Sequence, residues 1–160
     1  MPRLERLTAA HAPALLAFEQ ENRAYFAASI PDRGDDYFTH FMARHSALLA
    51  EQAAGVCHFH VLADPSGAIL GRVNLVDVAD GSAELGFRIA ESAAGAGLAT
   101  AAVREICDLA ATRYGLTELR AAAALDNTGS RTVLKRTGFT ETGSTVLAGR
   151  PGLLHTRRLP

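Results

Sequence analysis

The sequence predicts a single mixed α/β domain, because three features of the chain agree. Patterns typical of strands and of helices alternate along the whole length. Residues 82–114 predict a strand, a loop containing Gly95 and Gly97, and then a long helix. The 160 residues are 48% hydrophobic, which is enough for one core, so we expect one domain spanning 1–160.

The first third of the chain predicts an edge strand and two long helices. Thr8 can cap the first helix, and Asp35 or Asp36 can cap the second. Proline and glycine between the helices stop the first one. The predicted elements are a strand over 2–7, a helix over 9–28, a break over 30–34 and a helix from 35 or 36 to 54.

The middle of the chain predicts three strands before the long helix. The predicted elements are strands over 56–62, 69–78 and 82–90, followed by a helix over 98–114. In the first of these strands His58 and His60 share one face. No acidic residue or cysteine is spaced to complete a metal site with them, so we expect no metal. We interpret both as partly solvated imidazoles or as groups that face the substrate.

The last third predicts a strand, a short helix and a hairpin. The strand over 119–125 is mostly alanine and is assigned from its position between a helix and a loop. The short helix begins at Thr128 or Ser130 and ends at 137–138. Two strands over 139–147 and 153–159 then form a hairpin across a loop over 148–152.

Charge and cysteine usage exclude several classes of protein. The net charge is −1, so we expect no broad basic surface and no nucleic-acid or membrane partner. Cys57 and Cys107 have no framework spacing and predict free thiols in a reducing compartment. The N-terminus has no apolar signal core, and we expect a cytoplasmic protein.

The glycine loop predicts an anion site. Gly95 and Gly97 expose backbone N–H groups, and the helix that follows adds its unpaired N–H groups and the positive end of its dipole. A dinucleotide fingerprint requires a third glycine where Thr100 stands, and a P-loop requires a lysine, whereas the only lysine is Lys135. At this point a simple strand-to-helix turn without a ligand is an open alternative.

Four motifs in order resemble those of the GNAT acyl-CoA N-acetyltransferases. They are the stretch 21–38, the strand AELGFR, the loop AAGAGLAT and the run LDNTGSRTVLKRTGF. The match is closest to the ribosomal-protein branch, the RimJ and RimL type. Two positions depart from the family pattern: Ser92 replaces a Gln or Arg, and Leu134 replaces a tyrosine. The resemblance implies a mixed, mostly antiparallel sheet of six to seven strands with about four flanking helices.

The resemblance also implies acetyl-CoA as the cofactor. The loop and first helical turn would bind its pyrophosphate, the strand before them would pair with its pantetheine amides, and basic residues would lie near its phosphates. The implied cofactor residues are Phe87, Arg88, Ile89, Ala94, Gly95, Ala96, Gly97, Leu98, Ala99, Thr100, Asn127, Ser130, Arg131 and Arg136. A solvated surface role for Arg131 and Arg136 is left open.

Three residues are candidates for the chemistry. Glu84 is the implied base, acting directly or through water, although a structural pair with Arg88 is an alternative. Ser130 takes the position from which the branch contacts the thiol, and it is also a candidate helix N-cap. Asn127 is placed to end the strand or to bind pantetheine or a catalytic water.

The first two helices and the final hairpin are expected to select the substrate. The predicted substrate residues are Asn22, Arg23, Tyr25, Phe26 and 32–37, which includes Tyr37. The favoured function is acetyl transfer to a primary amine, above all a protein N-terminal α-amine. A small-molecule amine, such as an antibiotic or a polyamine, and a non-catalytic acyl-CoA-binding sensor are the alternatives, and a homodimer is left open.

Overall fold

The computed structural model describes residues 1–160 as seven strands, six α-helices and two short 3₁₀ turns. The strands are β1 Arg3–Arg6, β2 His58–Ala63, β3 Ile69–Ala79, β4 Ser82–Ile89, β5 Glu118–Ala124, β6 Thr140–Leu147 and β7 Arg150–Arg158. The helices are α1 Ala12–Glu21, α2 Arg23–Ala27, α3 Asp35–Thr39, α4 Phe41–Ala53, α5 Leu98–Thr112 and α6 Thr128–Arg136. None of the helices has the length and apolarity needed to cross a bilayer.

The strands form one sheet in the order β1-β2-β3-β4-β5-β7-β6. All neighbours are antiparallel except β4 and β5, so the predicted mixed, mostly antiparallel sheet is confirmed. The parallel pairing is short: it joins Ser82 to Glu118 and ends with Glu84 opposite Arg120. Beyond that point the two strands separate, and a split opens in the middle of the sheet.

The sheet separates two hydrophobic cores. On one face α5 and α6 pack against side chains such as Leu75, Leu85 and Leu119. On the other face α1 to α4 pack against Phe59 and Val61. Because side chains alternate along a strand, β4 sends residues 83, 85 and 87 toward α5 and residues 84, 86 and 88 toward α1 and α2.

The helices over 9–28 and 35–54 are each interrupted, which the sequence patterns did not predict. The first begins with a 3₁₀ turn over Ala9–His11 and breaks at Asn22, whose side-chain amide donates to the Phe18 carbonyl at 2.9 Å. The second breaks at His40. The prediction of continuous helices was therefore wrong, and six helices replace the expected four or so.

The final hairpin has a tighter turn than predicted. Ala148 and Gly149 both have positive φ, 49° and 78°, and they alone connect β6 to β7. Two residues with positive φ give a turn whose twist matches that of the strands. The predicted loop over 148–152 was too long: residues 150–152 belong to β7, and Pro151 pairs with Val146.

Candidate active site

The split between β4 and β5 opens into a cleft of about 780 Å³ that passes through the sheet. Residues 85–89 of β4 form one wall, and residues 121–124 of β5 form the other. One mouth lies on the α5 and α6 face, and the other lies on the α1 and α2 face. We call these the loop mouth and the acceptor mouth. The volume lies within the range of pockets that hold small molecules and cofactors.

The glycine loop lines the loop mouth, where the sequence predicts an anion site. Gly95 and Gly97 each have φ of 77°, a conformation that favours glycine, and Gly97 is the N-cap of α5. A Cβ built at either glycine would meet no atom within 4 Å. The protein therefore leaves open space above the loop, in which a ligand can approach the backbone closely.

The first turn of α5 adds backbone donors to this mouth. Leu98, Ala99 and Thr100 line the cleft, and their N–H groups precede the first intrahelical donor, the N–H of Ala101, which bonds the Gly97 carbonyl at 3.1 Å. Three successive donors at the positive end of a 15-residue helix suit a pyrophosphate. Ala94 also lines the cleft, and Ala96 lies between the two glycines in the exposed loop.

The edge of β4 supplies backbone groups along the cleft. Phe87, Arg88 and Ile89 pair with β3 on one side, but on the other side no strand is paired with them. This unpaired edge can add an extended chain of amides, such as that of pantetheine. The residues present therefore fit the three parts of a coenzyme A: donors for pyrophosphate, an edge for pantetheine and a split for the thiol.

Two residues at the start of α6 reach the cleft. The Asn127 side-chain oxygen accepts from the Ser130 N–H at 3.2 Å, so Asn127 is the N-cap and the alternative of Ser130 as N-cap was wrong. The Ser130 hydroxyl forms no hydrogen bond with the protein and lines the cleft. It is therefore free to bond a ligand.

Of the two arginines predicted near the phosphates, one lines the cleft and the other does not. Arg136, at the end of α6, lines the cleft and has no acidic partner. Arg131 does not line it: its guanidinium donates to the Leu125 carbonyl at 2.9 Å and to Glu141 at 3.4 Å. Arg131 therefore stabilises the loop before α6, and of the two arginines only Arg136 lines the cleft.

Glu84 lies where the split begins. It is the last residue of β4 that pairs with β5, it is half-buried, and it precedes the first lining residue, Leu85. The alternative of a structural pair with Arg88 was wrong, because Arg88 pairs with Glu19. No hydrogen bond or ion pair joins the Glu84 carboxylate to another residue, so it is free to contact a ligand or a water molecule.

The acceptor mouth is apolar and carries arginines but no acidic residue. Tyr25 and Phe26, predicted to face substrate, line it, as does the tip of the β6–β7 hairpin. Arg150 connects this tip to the segment after α2 by donating to the Ser29 carbonyl at 3.3 Å, and it also pairs with Asp126. Among the residues of the whole cleft the only charged ones are Arg88, Arg136 and Arg150.

The other predicted substrate residues, Asn22, Arg23 and all of 32–37, lie outside the cleft. Asn22 is buried and accepts from the Glu91 N–H at 2.9 Å, which ties the end of α1 to the segment before the glycine loop. Arg23 pairs with Asp32, and these exposed contacts lower the pKa of Asp32 to about 2 through the hydrogen bond from Arg23. Tyr37 is buried among aromatic rings.

The two histidines of β2 face away from the cleft. His60 is buried, and its Nε2 lies 2.7 Å from the Tyr114 hydroxyl, while His58 stacks on the Tyr114 ring with centroids 3.7 Å apart. Arg6 donates to the same hydroxyl at 2.8 Å. Burial, with the charge of Arg6, lowers the pKa of His60 to about 4. Of the two predicted alternatives, imidazoles that face substrate are wrong, whereas a partly solvated imidazole is confirmed for His58 and not for His60, which is buried.

Sequence reasoning missed a buried ionic cluster beside the acceptor mouth. Glu19, in α1, is only 1% exposed and lies within ion-pair distance of three arginines, Arg33, Arg72 and Arg88. The one signal in the sequence was Arg72, a charged residue within the apolar strand ILGRVNLV. We name these four residues the Glu19 cluster.

Comparisons with solved structures support the fold. The S5-alanine acetyltransferase of Vibrio fischeri superposes with a TM-score of 0.92 at 19% identity, covering 98% of this chain and 92% of that one. RimJ of Mycobacterium smegmatis, solved with a CoA-disulfide, gives 0.87 at 27% identity, covering 97% and 80%. The spermidine N-acetyltransferase of Vibrio cholerae, solved with CoA and spermine, gives 0.79 at 18% identity, covering 98% and 95%. No curated protein sequence matches the chain.

The sequence comparison identifies the family. A family model described as the acetyltransferase (GNAT) domain matches residues 3–140, which is most of the chain. This match covers β4, the glycine loop, α5, β5 and α6, the elements that build the cleft. The chain therefore belongs to the GNAT family and is an acetyl-CoA-dependent N-acetyltransferase.

Proposed function

We propose that this enzyme transfers acetyl from acetyl-CoA to the α-amine of a protein or peptide N-terminus, by direct attack in a ternary complex. The observation that carries the proposal is the acceptor mouth, which is apolar, has arginines and has no carboxylate. An N-terminal segment offers one amine followed by an uncharged backbone, and such a group can enter this mouth without an acidic partner.

A polyamine acceptor fits this mouth less well. Spermidine carries several positive charges, whereas the charged residues that line the cleft are all arginines; Glu19 and Asp126, the partners of Arg88 and Arg150, are not among the lining residues. The structural neighbours include both kinds of enzyme: the Vibrio fischeri protein acetylates ribosomal protein S5, and the Vibrio cholerae protein acetylates spermidine. The charge of the mouth favours the first kind.

The residues of the loop mouth would hold the cofactor. In this proposal the N–H groups of 94–100 bind the pyrophosphate, the edge of β4 at 87–89 pairs with pantetheine, and Arg136 lies near the phosphates. When bound, acetyl-CoA supplies the acetyl group as a reactive thioester. The Asn127 side chain caps α6 and so holds Ser130 at the cleft.

Two side chains would handle protons. Glu84 lies on the acceptor face of β4 and would take the proton of the attacking amine through a water molecule. The Ser130 hydroxyl would donate a hydrogen bond to the departing sulfur. Both groups are free of partners within the protein. An acyl-CoA sensor would have no need of a free carboxylate and a free hydroxyl at this place, so their presence favours an enzyme.

A panel of amines tests the proposal by measuring thiol release from acetyl-CoA. We expect turnover with peptides that have a free N-terminus and none with the same peptides blocked by an N-terminal formyl group. The panel also includes two small-molecule amines, spermidine and an aminoglycoside. A kcat/KM for spermidine above that of every peptide would contradict the proposal, and so would the absence of turnover with all peptides while CoA still binds.

A further inference from the structure

The Glu19 cluster places more positive than negative charge beside the acceptor mouth. Glu19 lies 2.5 Å from Arg33, 3.4 Å from Arg72 and 3.3 Å from Arg88. The Tyr37 hydroxyl also accepts a hydrogen bond from Arg72 at 3.1 Å. One carboxylate therefore faces three guanidinium groups, all of them at most 28% exposed.

A further anion beside the cluster would offset this excess of positive charge. Arg72 and Arg88 are direct partners in the β3–β4 register, and like charges in that position repel each other. Burial, and then the charge of Arg33, lower the pKa of Arg88 to about 10. Arg88 is still cationic at neutral pH, so its charge is present when the enzyme works.

Two hydrogen-bond donors of the Arg88 side chain have no partner within the protein. Its guanidinium lies over the Phe26 ring, 4.6 Å from the centroid, and only its Nη1 bonds to Glu19. Its Nε and Nη2 donors form no hydrogen bond with the protein, and the residue lines the cleft. Nε and Nη2 lie on one edge of the guanidinium, and such an edge matches the two oxygens of a carboxylate.

We propose that the acceptor amine carries a carboxylate close to the reacting nitrogen, and that Arg88 binds this carboxylate side-on at the acceptor mouth. This inference rests on the proposed function, because it defines the substrate class of the same site. Arg88 is then a specificity-determining residue that contacts substrate. Glu19, Arg33 and Arg72 position it without touching the acceptor.

Matched pairs of amines test the inference on the unmodified enzyme. The peptide pair has a free N-terminal alanine, an amidated C-terminus, and either glutamate or glutamine at the second position. The small-molecule pair is 3-aminopropionate and its amide. We expect kcat/KM for the carboxylate member of at least one pair to exceed that of the amide by about tenfold or more, the value of a charge-assisted hydrogen bond. The pair that responds identifies the source of the carboxylate.

Variants of Arg88 test whether this residue recognises the carboxylate of the acceptor. Arg88→Gln is expected to bring the ratio between the pair members to about one, and Arg88→Lys, which keeps the charge and loses the paired donors, to an intermediate value. Arg3→Gln, on the exposed edge strand β1, is the matched control and should keep the parent ratio. Arg88→Gln could fail to fold because Glu19 loses a partner. In that case the substrate pairs are compared between Arg88→Lys and the unmodified enzyme.

The outcomes separate this inference from the proposed function. Peptide turnover at equal rates for both members of each pair would overturn the carboxylate inference and leave the N-terminal acetyltransferase in place. A preference that persists in Arg88→Gln or is unaffected in Arg88→Lys would also overturn it. Absence of turnover with any peptide, together with normal CoA binding, would instead overturn the proposed function.

Discussion

Glu84 shows how one residue gains a role from its place in the sheet. It is the last residue of β4 to pair with β5, and it lies on the face of the sheet where we propose that the acceptor enters. An ordinary glutamate is ionised at neutral pH, and water can carry a proton to it from an amine that it does not touch. This position gives the base assignment its physical basis.

Glu84→Gln removes the proposed base and keeps the shape of the side chain. We expect acetyl-CoA to bind as it does to the parent and kcat/KM for the best peptide to fall by about 100-fold or more, the usual value of a positioned base. Thiol release measures the rate, and calorimetry measures binding. Glu105→Gln, exposed on α5, is the control and should match the parent. Unchanged turnover in Glu84→Gln would show that the base lies elsewhere.

Single residues also mark the limit of what the sequence predicts. Gly95, Gly97 and Ser130 belong to local motifs, so their positions at the cleft could be anticipated from the chain. Glu19 and Arg88 meet across 69 residues, and no local pattern indicates that contact. The sequence suggested Glu84 as a partner for Arg88, because residues four apart in a strand share a face, but the helix α1 offers a closer carboxylate.

At the scale of elements, β5 is a strand because of its neighbours. Its residues ELRAAAA have low β propensity, yet the predicted strand forms between β4 and β7. The small side chains of 121–124 also line the cleft, so alanine leaves room for a ligand where valine or isoleucine would fill the split. By contrast, the breaks at Asn22 and His40 depend on contacts between elements, which the helical period does not encode.

The buried imidazole of His60, in β2, predicts that the stability of the protein depends on pH. The pKa of His60 is about 4 in the folded protein because of burial, against 6.5 for an exposed histidine, so the unfolded chain binds more protons between these values. Stability must therefore fall as the pH falls from 6.5 to 4, by about 3 kcal/mol for this residue. Urea unfolding at several pH values measures the effect.

His60→Gln should flatten this part of the profile, because glutamine does not titrate. His40→Gln, at an exposed histidine, is the control and should retain the slope of the parent. If the slope is the same in all three proteins, His60 does not carry the pH dependence.

For the molecule as a whole, the split sheet has openings on both faces, and we propose that one substrate enters from each. The glycine loop and α6 serve one mouth, while α2, Arg88 and the hairpin tip serve the other. Neither cysteine is placed to carry an acetyl group: both are buried in the cores, and burial raises the pKa of each thiol. The architecture therefore favours direct transfer with both substrates bound.

Initial-rate kinetics test this arrangement. With acetyl-CoA and the best peptide both varied, we expect double-reciprocal lines that intersect, because both substrates must be bound before transfer. Parallel lines would indicate an acetylated enzyme and would contradict direct attack. Cys57→Ser and Cys107→Ser should each show the same intersecting pattern as the parent.

The central claim is that the loop of Gly95 and Gly97 binds the diphosphate of coenzyme A, and calorimetric titration of CoA tests it most directly. Gly95→Ala adds a Cβ in the open space above the loop, while Gly55→Ala adds one at the same φ of 77° after α4, remote from the cleft. We expect similar losses of stability, about 1 kcal/mol each. We expect Gly55→Ala to bind CoA with the affinity of the parent and Gly95→Ala to bind CoA at least about tenfold more weakly. Equal CoA affinity in the two variants would contradict the central claim.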